Sequence, residues 1–253
     1  MITLELRGKS EPGSDWLGIG GAIALLSLWS ITLLAGLQWT DWEWGGLLVA
    51  VWARTFLHTG LFVIGHDAMH RSLCPRYPWW NNFIGQIAVG LYACLPFGDC
   101  CRKHWAHHRH PGRKDDPDFH PGRTAHPLGW YLRFLRTYLT LAQLWRLGLQ
   151  WGVLLALSCG LSLYSPVNLW WFWILPFFLS SVQLFIFGTY LPHHPQAQSH
   201  ANGHHATSSY YPLLWSFLSC YHFGYHWEHH EYPQVPWYRL PLLVKSNRRF
   251  RFL

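Results

Sequence analysis

Charge is what this sequence has least of. Asp, Glu, Lys and Arg make up 12% of its 253 residues, about half of the roughly 25% usual in a soluble domain. Half of the chain is hydrophobic and 18% is aromatic, so a water-soluble globule is a poor starting assumption. Paired cysteines are also missing. The six cysteines, at 74, 94, 100, 101, 159 and 220, form no CxxC motif and keep no regular spacing. That argues against a disulfide scaffold or a thiolate zinc site and fits reduced thiols in a non-secreted setting. No cleavable signal pattern is present. Glu5, Arg7, Lys9, Glu11 and Asp15 crowd the start, and the apolar run behind them is too long for a signal core. The Glu-x-x-His pairs of carboxylate-bound metal bundles are absent as well.

What the sequence does have is long apolar runs. About 20 apolar residues span a bilayer core. Residues 16–39 carry no charge and have Trp at both ends, as interfacial anchors would. Residues 45–65 follow, interrupted by Arg54 and His58, and 147–164 and 169–191 form a second pair. These four runs are the expected spans. The runs 83–98 and 210–225 are shorter and suit interfacial or re-entrant segments. The fold class expected is therefore all-α integral membrane: four transmembrane helices in two hairpins, with a cytoplasmic cap of short interfacial helices, in one membrane-embedded domain over 1–253.

Basic residues are distributed unevenly. Of nineteen Lys and Arg, eighteen lie in the N-terminal tail, in 66–146 or after 238, and the linkers 40–44 and 165–168 hold none. The positive-inside rule then puts the remaining loops on the cytoplasmic face. The terminal "KSNRRFRF" reads as a basic tail at the membrane surface.

Those same loops carry the histidines. "GHDAMH" holds His66 and His70; "KHWAHHRHP" holds His104, His107 and His108; "CYHFGYHWEHHEYP" holds His226, His229 and His230. Positions i, i+3 and i+4 share a helix face, so each group presents a patch of imidazoles. Eight ligands exceed the need of one ion, since zinc takes four. Two ions fit better, and iron is the best assignment, although imidazole also suits zinc and copper. Asp67 and Glu228 lie in the boxes but off the shared face, either bonding ligand N–H groups or standing as surface charges.

Three boxes of this form, "HDAMH", "HWAHH" and "HWEHH", resemble those of the membrane fatty-acid desaturase/hydroxylase superfamily. Within it, "GHDAMH", "YLPH" and "CYHFGYHxEHH" are similar to the bacterial carotenoid ketolases of the CrtW type. The resemblance implies a non-haem di-iron centre and an added ligand after the fourth span, carried to His193 in "YLPHH", with His194 the weaker choice. The metal ligands expected are thus His66, His70, His104, His107, His108, His193, His226, His229 and His230, with no catalytic residue beyond them. It also implies β-carotene 4-ketolase activity: O2 and external electrons oxidise C4 of a β-ionone ring to a hydroxyl, then a geminal diol, which loses water to give the ketone. The product series would be β-carotene, echinenone, canthaxanthin. The carotenoid would enter from the bilayer, and the membrane would be a bacterial cytoplasmic membrane or a thylakoid. With a net charge of +7, an acidic ferredoxin-type donor would be steered to the cytoplasmic face; the same charge also attracts anionic lipid. No nucleic acid is expected as a partner.

Other residues stay open. His222, one turn before His226, would ligate, bond a ligand or only pack; a bond to a ligand is favoured. His110, His120, His126, His200, His204 and His205 are read as solvated loop residues. Asp116 and Asp118 either shape the pocket or form a polar turn around Pro117, and Arg54 pairs within the bundle. Interfacial belts account for most of the eighteen tryptophans. A carotenoid 3-hydroxylase or fatty-acid desaturase would use the same scaffold. A histidine-rich metal transporter is the distant alternative, disfavoured because the histidines gather at one end of the spans.

Overall fold

The computed structural model describes residues 14–119, 126–161, 164–194 and 203–244. His120, His200 and the basic tail from 245 lie outside the described residues. The described residues contain helices and no strand.

Two long apolar helices come first, α1 (Ser14–Leu37) and α2 (Trp44–Met69). The chain then forms α3 (Pro78–Ala93) and α4 (Phe97–Arg109), bent by 94° at the break between them. Pro78 fits the first turn of α3, where its missing N–H costs nothing. Cys94 closes α3 in the left-handed region, φ 52°, and Pro96 then enters α4. An amphipathic helix α5 (Pro127–Tyr138) leads to α6 (Leu141–Leu161). A last long helix covers Pro166–His193, and α10 (Leu213–Cys220) and α11 (His226–Glu231) complete the fold.

Three helices are long and apolar enough to cross a membrane: Asp15–Leu37, Trp44–Met69 and Pro166–His193, or four if the bent pair α3–α4 is one span. This is a membrane protein. The expected run 147–164 lies on α6, which is not among the three; Gln143, Arg146 and Gln150 interrupt its first half. The run 83–98 is not one segment, because the turn at 94–96 divides it. The run 210–225 yields eight helical residues before Tyr221 and His222 turn left-handed, φ 45° and 63°.

The last long helix is not a uniform α-helix. It runs α7 (Pro166–Leu169), a π-turn (Trp170–Ile174), α8 (Leu175–Phe185), a second π-turn (Ile186–Tyr190) and α9 (Leu191–His193). Pro176 and Pro192 follow the two π-turns. A proline removes the donor that the carbonyl four residues earlier would use. Phe172 is that residue for Pro176, and Arg54 supplies the missing donor, its Nε 2.9 Å from the Phe172 carbonyl. Arg54 also donates through Nη1 to the Trp29 carbonyl and to Thr32 Oγ1, with its guanidinium over the Trp29 ring. A charge buried mid-span therefore ties α1 and α2 to the last helix, as its pairing within the bundle required.

Asn168 donates to the carbonyls of Leu37 and Trp39. The two linkers without basic residues, 40–44 and 165–168, thus lie together at one end. At the other end α2 and α3 approach closely. A Cβ on Gly85 would stand 2.5 Å from that of Ala68, and one on Gly65 would stand 2.3 Å from Val89 Cγ1. Small residues at such crossings let helix backbones pack in lipid.

Candidate metal centre

The histidines arrive on four elements. His66 lies in the last turn of α2 and His70 caps it. His104, His107 and His108 lie on α4, His193 ends the last long helix, and His226, His229 and His230 lie on α11. Seven of the nine are buried, and His104 and His108 are half-buried.

They meet as two groups that do not follow the boxes. His66, His70, His104 and His229 form one, and His107, His193, His226 and His230 form the other; within each, the candidate ligand atoms lie within 4.8 Å of one another. His70 Nε2 is 2.6 Å from His104 Nε2. In the second group His193 Nε2 is 2.9 Å from His226 Nε2, and His230 Nε2 is 3.1 Å from both His107 and His226. His108 Nε2 lies 3.2 Å from His104 Nε2 and 2.9 Å from His229 Nε2, and its ring stacks on His230 at 4.3 Å. It sits between the groups.

The hydrogen bonds fix where the lone pairs point. His107 donates through Nδ1 to Asp116 Oδ1 at 2.9 Å, and His193 donates through Nδ1 to the His205 carbonyl at 2.9 Å. A neutral imidazole has one N–H and one lone pair, so both rings aim a bare Nε2 into the second group. Burial drives His108 down to about 2 and holds His104, His226, His229 and His230 well below the usual range, with neighbouring histidines adding to it. These rings are neutral and can ligate. His107 is shifted the other way: burial lowers its pKa, but the hydrogen bond and charge of Asp116 more than offset that, and the same bond holds its Nδ1–H and turns its Nε2 to the second group as a ligand atom. Among the described residues, Nδ1 of His66, His70 and His230 has no hydrogen-bond partner. Such a nest of converging lone pairs is costly without a cation. Nitrogens held about 2.1 Å from a first-row metal and at right angles lie about 3 Å apart, which is the spacing found. The donor set fits a metal site of imidazole ligands.

Asp116 is the residue that the sequence underdetermined. It accepts from His107 and from the amides of Gly112 and Asp118. Burial opposes its charge, yet these bonds hold its pKa below the usual carboxylate range. A carboxylate bonded to the far nitrogen of a ligand histidine fixes the ring's tautomer and orientation. The signal was present in "HHRHPGRKDDPD", where Pro111 and Gly112 turn the chain back toward α4. Asp118 is pushed up to about 6 by burial and accepts from Tyr138.

Of the two other carboxylates in the boxes, Asp67 has an oxygen 3.6 Å from His66 Nδ1, too long for a hydrogen bond, and accepts from the Trp237 amide. Glu228 is buried and accepts from the hydroxyls of Ser208 and Tyr210, so it is no surface charge. His222 stands outside both groups. Its Nδ1 is 3.0 Å from Ser216 Oγ, and its ring stacks on Trp237. His194 packs on Tyr190. His204 is half-buried and pairs with Glu231 at 2.8 Å, where the sequence suggested a solvated residue. His205 contributes its backbone carbonyl, and His126 caps α5 by accepting from the Leu128 amide. His110 is exposed.

A cavity of about 1020 Å³, its open mouth included, ends at the histidines. His66, His104, His107, His226, His229 and Asp118 line this end, while Phe62, Tyr92, Phe134, Leu135, Phe177 and Leu184 line the rest. Phe177 lies sixteen residues before His193, about 24 Å of helix, so the cavity reaches deep along the apolar helices. Its lining away from the histidines is mostly apolar, which suits a long apolar molecule.

The chain is similar over most of its length to several known proteins. A zeaxanthin 4-ketolase of Chlamydomonas reinhardtii is 38% identical over 91% of this chain, which spans about half (54%) of that relative's length. A beta-carotene ketolase of a Paracoccus species (strain PC1) is 39% identical over 96% of this chain and 98% of its own. A second Paracoccus beta-carotene ketolase is 46% identical over 74% of each chain. More distantly, a rice protein named as a sphingolipid delta(4)-desaturase is 28% identical over 87% of this chain. No solved structure matches. Residues 42–251 match the fatty acid desaturase family, a stretch that takes in all three boxes and His193, and the chain belongs to that family.

Proposed function

We propose that the protein is a β-carotene 4-ketolase that uses two iron ions, O2 and external electrons. The observation that carries this reading is the narrow apolar cavity that ends on two four-histidine groups. Relatives named as beta-carotene ketolases, matching over 96% and 74% of the chain, support the choice of substrate.

In this reading His66, His70, His104 and His229 hold one iron and His107, His193, His226 and His230 the other, with His108 between them. The irons supply the oxidising power, and the chain's residues hold, orient and exclude. Asp116 fixes His107 and the His205 carbonyl fixes His193. Phe62, Phe177 and Leu184 hold the polyene in the cavity so that an end ring meets the histidines. Two rounds take place at C4, each using one O2, two electrons and two protons and releasing one water. The first leaves a hydroxyl and the second a geminal diol, which loses a further water to become the ketone.

The topology proposed has four crossings, α1, α2, α6 and Pro166–His193. The two linkers joined by Asn168 face one side, and the histidines face the cytoplasm of a bacterial cytoplasmic or thylakoid membrane. The carotenoid enters from the lipid, and a ferredoxin-type donor delivers electrons at the cytoplasmic face.

Expression in cells that accumulate β-carotene, with pigments separated by chromatography, tests the function. Echinenone and canthaxanthin are expected. Zeaxanthin in their place means a 3-hydroxylase, and unaltered pigment with newly unsaturated lipid means a desaturase.

A further inference from the structure

An oxygenase of this kind must take electrons through a shell of buried imidazoles, and one exposed aromatic bridges that shell to the surface. Trp105 is 37% exposed. Its indole N–H donates to the Met69 carbonyl at 3.1 Å, and its ring lies 5.0 Å from that of His70 and 5.7 Å from that of His108. His70 belongs to the first histidine group, and His108 touches members of both. Among the described residues, Trp105 is the exposed aromatic that contacts both of these rings.

The surface around it is basic. Residues 97–118 contain five Lys and Arg against four Asp, of which Asp116 and Asp118 are buried and Asp115 is exposed beside Lys114. Asp99 is already engaged by Arg102 and Lys103. Arg109 is exposed and donates through Nε to the Trp105 carbonyl. Arg102, Trp105 and Arg109 follow one another at i, i+3 and i+7, which is one face of α4. Arg71, exposed directly after His70, extends the patch beyond that helix, and Arg113 and Lys114 extend it past the end of α4.

We propose that Trp105, with Arg102 and Arg109 on its helix face and Arg71 two residues past its bonding partner Met69, is the docking point and electron entry of an acidic one-electron iron–sulfur protein. The donor's acidic surface meets the arginines, and its reduced cluster comes against the indole. One electron leaves the cluster and passes through the indole and the His70 or His108 ring, reducing one ferric ion to ferrous. The indole is neither oxidised nor reduced, and two such transfers, each from one donor molecule, serve each oxygenation. A basic surface near a bilayer also attracts anionic lipid. The aromatic seated between the arginines and touching the histidines favours the protein donor, since lipid binding has no use for that contact.

This rests on the reading of the protein as an electron-requiring oxygenase, but its test needs no carotenoid. The probe is a reduced plant-type [2Fe–2S] ferredoxin mixed in a stopped-flow instrument with iron-loaded protein in nanodiscs of neutral lipid. With the double variant R71E/R109E, binding weakens and the second-order reduction rate falls about tenfold at low salt, as expected when steering charges are reversed. Its dependence on salt flattens, while iron content and reduction by dithionite stay unchanged. At saturating ferredoxin, Trp105→Ala lowers the limiting rate severalfold, and Trp105→Phe, which keeps a ring over the histidines, lowers it less. Unchanged ferredoxin kinetics in R71E/R109E would overturn the proposal. So would binding lost to vesicles of anionic lipid but kept for ferredoxin, which would make the patch a lipid contact. A Trp105→Phe variant as slow as Trp105→Ala with both ferredoxin and dithionite would reduce Trp105 to a structural plug and end its role as entry point. Failure to oxidise β-carotene with these kinetics intact would count against the ketolase reading alone.

Discussion

At the residue scale, the tightest constraint on the site is the bond from His107 to Asp116. His107 is the histidine whose partner is a buried carboxylate at hydrogen-bond distance, and its neighbours on α4 have no such bond among those described. Replacing Asp116 with Asn keeps the shape and one oxygen but removes the charge that fixes the Nδ1–H tautomer. Losing a partner of this kind usually costs about 10- to 100-fold in metal affinity or activity. Asp116→Asn is therefore expected to retain iron against a chelator that much less well, with ketone formation falling in parallel. Iron per chain after dialysis checks it. A variant that holds iron like the parent would leave Asp116 as a turn residue only. His107→Ala should lose both iron and product while the chain still inserts. The box histidines themselves were legible as letters, because the i, i+3, i+4 spacing is imposed by the helix. Their grouping was not: His104 and His107 share a helix face yet serve different groups, which depends on where α2 and α11 dock against α4. Asp116 was legible as an acid in the turn after the second box, but which histidine it bonds becomes visible only once the 110–118 turn is folded.

Between residues and the whole lies the crossing of α2 and α3, which carries the first box to its place. The apolar runs that announce α1, α2 and the last helix are visible in composition alone. The close approach at Gly85 is not, because a glycine in a helix looks merely permissive until a neighbour is known. Gly85→Ala should gain about 0.5–1 kcal/mol from helix propensity. Its new methyl would stand 2.5 Å from Ala68 Cβ and 2.6 Å from the Phe97 ring. Ala68 cannot rotate away, so the helices must separate, and overpacking costs about 1–3 kcal/mol. The net expectation is a lower melting temperature and less bound iron, because Ala68 sits between His66 and His70. Gly90→Ala on the same helix, with nothing within 4 Å of the added atom, should stabilise slightly. Thermal unfolding of both variants in detergent decides; Gly85→Ala melting at or above the parent would mean the crossing has slack. The π-turns belong to this scale too. Pro176 and Pro192 stand in the sequence, but that Arg54 from another helix takes the freed Phe172 carbonyl is a tertiary fact.

For the whole molecule, one asymmetry organises the rest. None of the nineteen basic residues lies in the two linkers that Asn168 brings together, and the histidines, the arginines near Trp105 and the histidine end of the cavity lie away from those linkers. The topology proposed has α6 cross the bilayer, because α2 ends at the histidines and the last helix starts at the linkers. Arg146 lies in the second turn of α6, where a long side chain can reach the interface at modest cost, and Gln150, midway along, accepts from Cys94 Sγ within the protein. The exposed apolar residues Leu149, Val153, Leu155 and Leu157 follow them and need lipid. The alternative, with α3–α4 as a single crossing, would put His70 and His104 on opposite sides, although their nitrogens are 2.6 Å apart. Cysteines placed singly at Asp41 or Ser165 and at Arg109 or Arg133 separate the two. In inverted vesicles an impermeant maleimide should add label, relative to the parent chain, at 109 and 133 and not at 41 or 165; intact cells should give the reverse. Labelling of 109 and 165 from one side would remove α6 as a span, and the four-crossing topology with it.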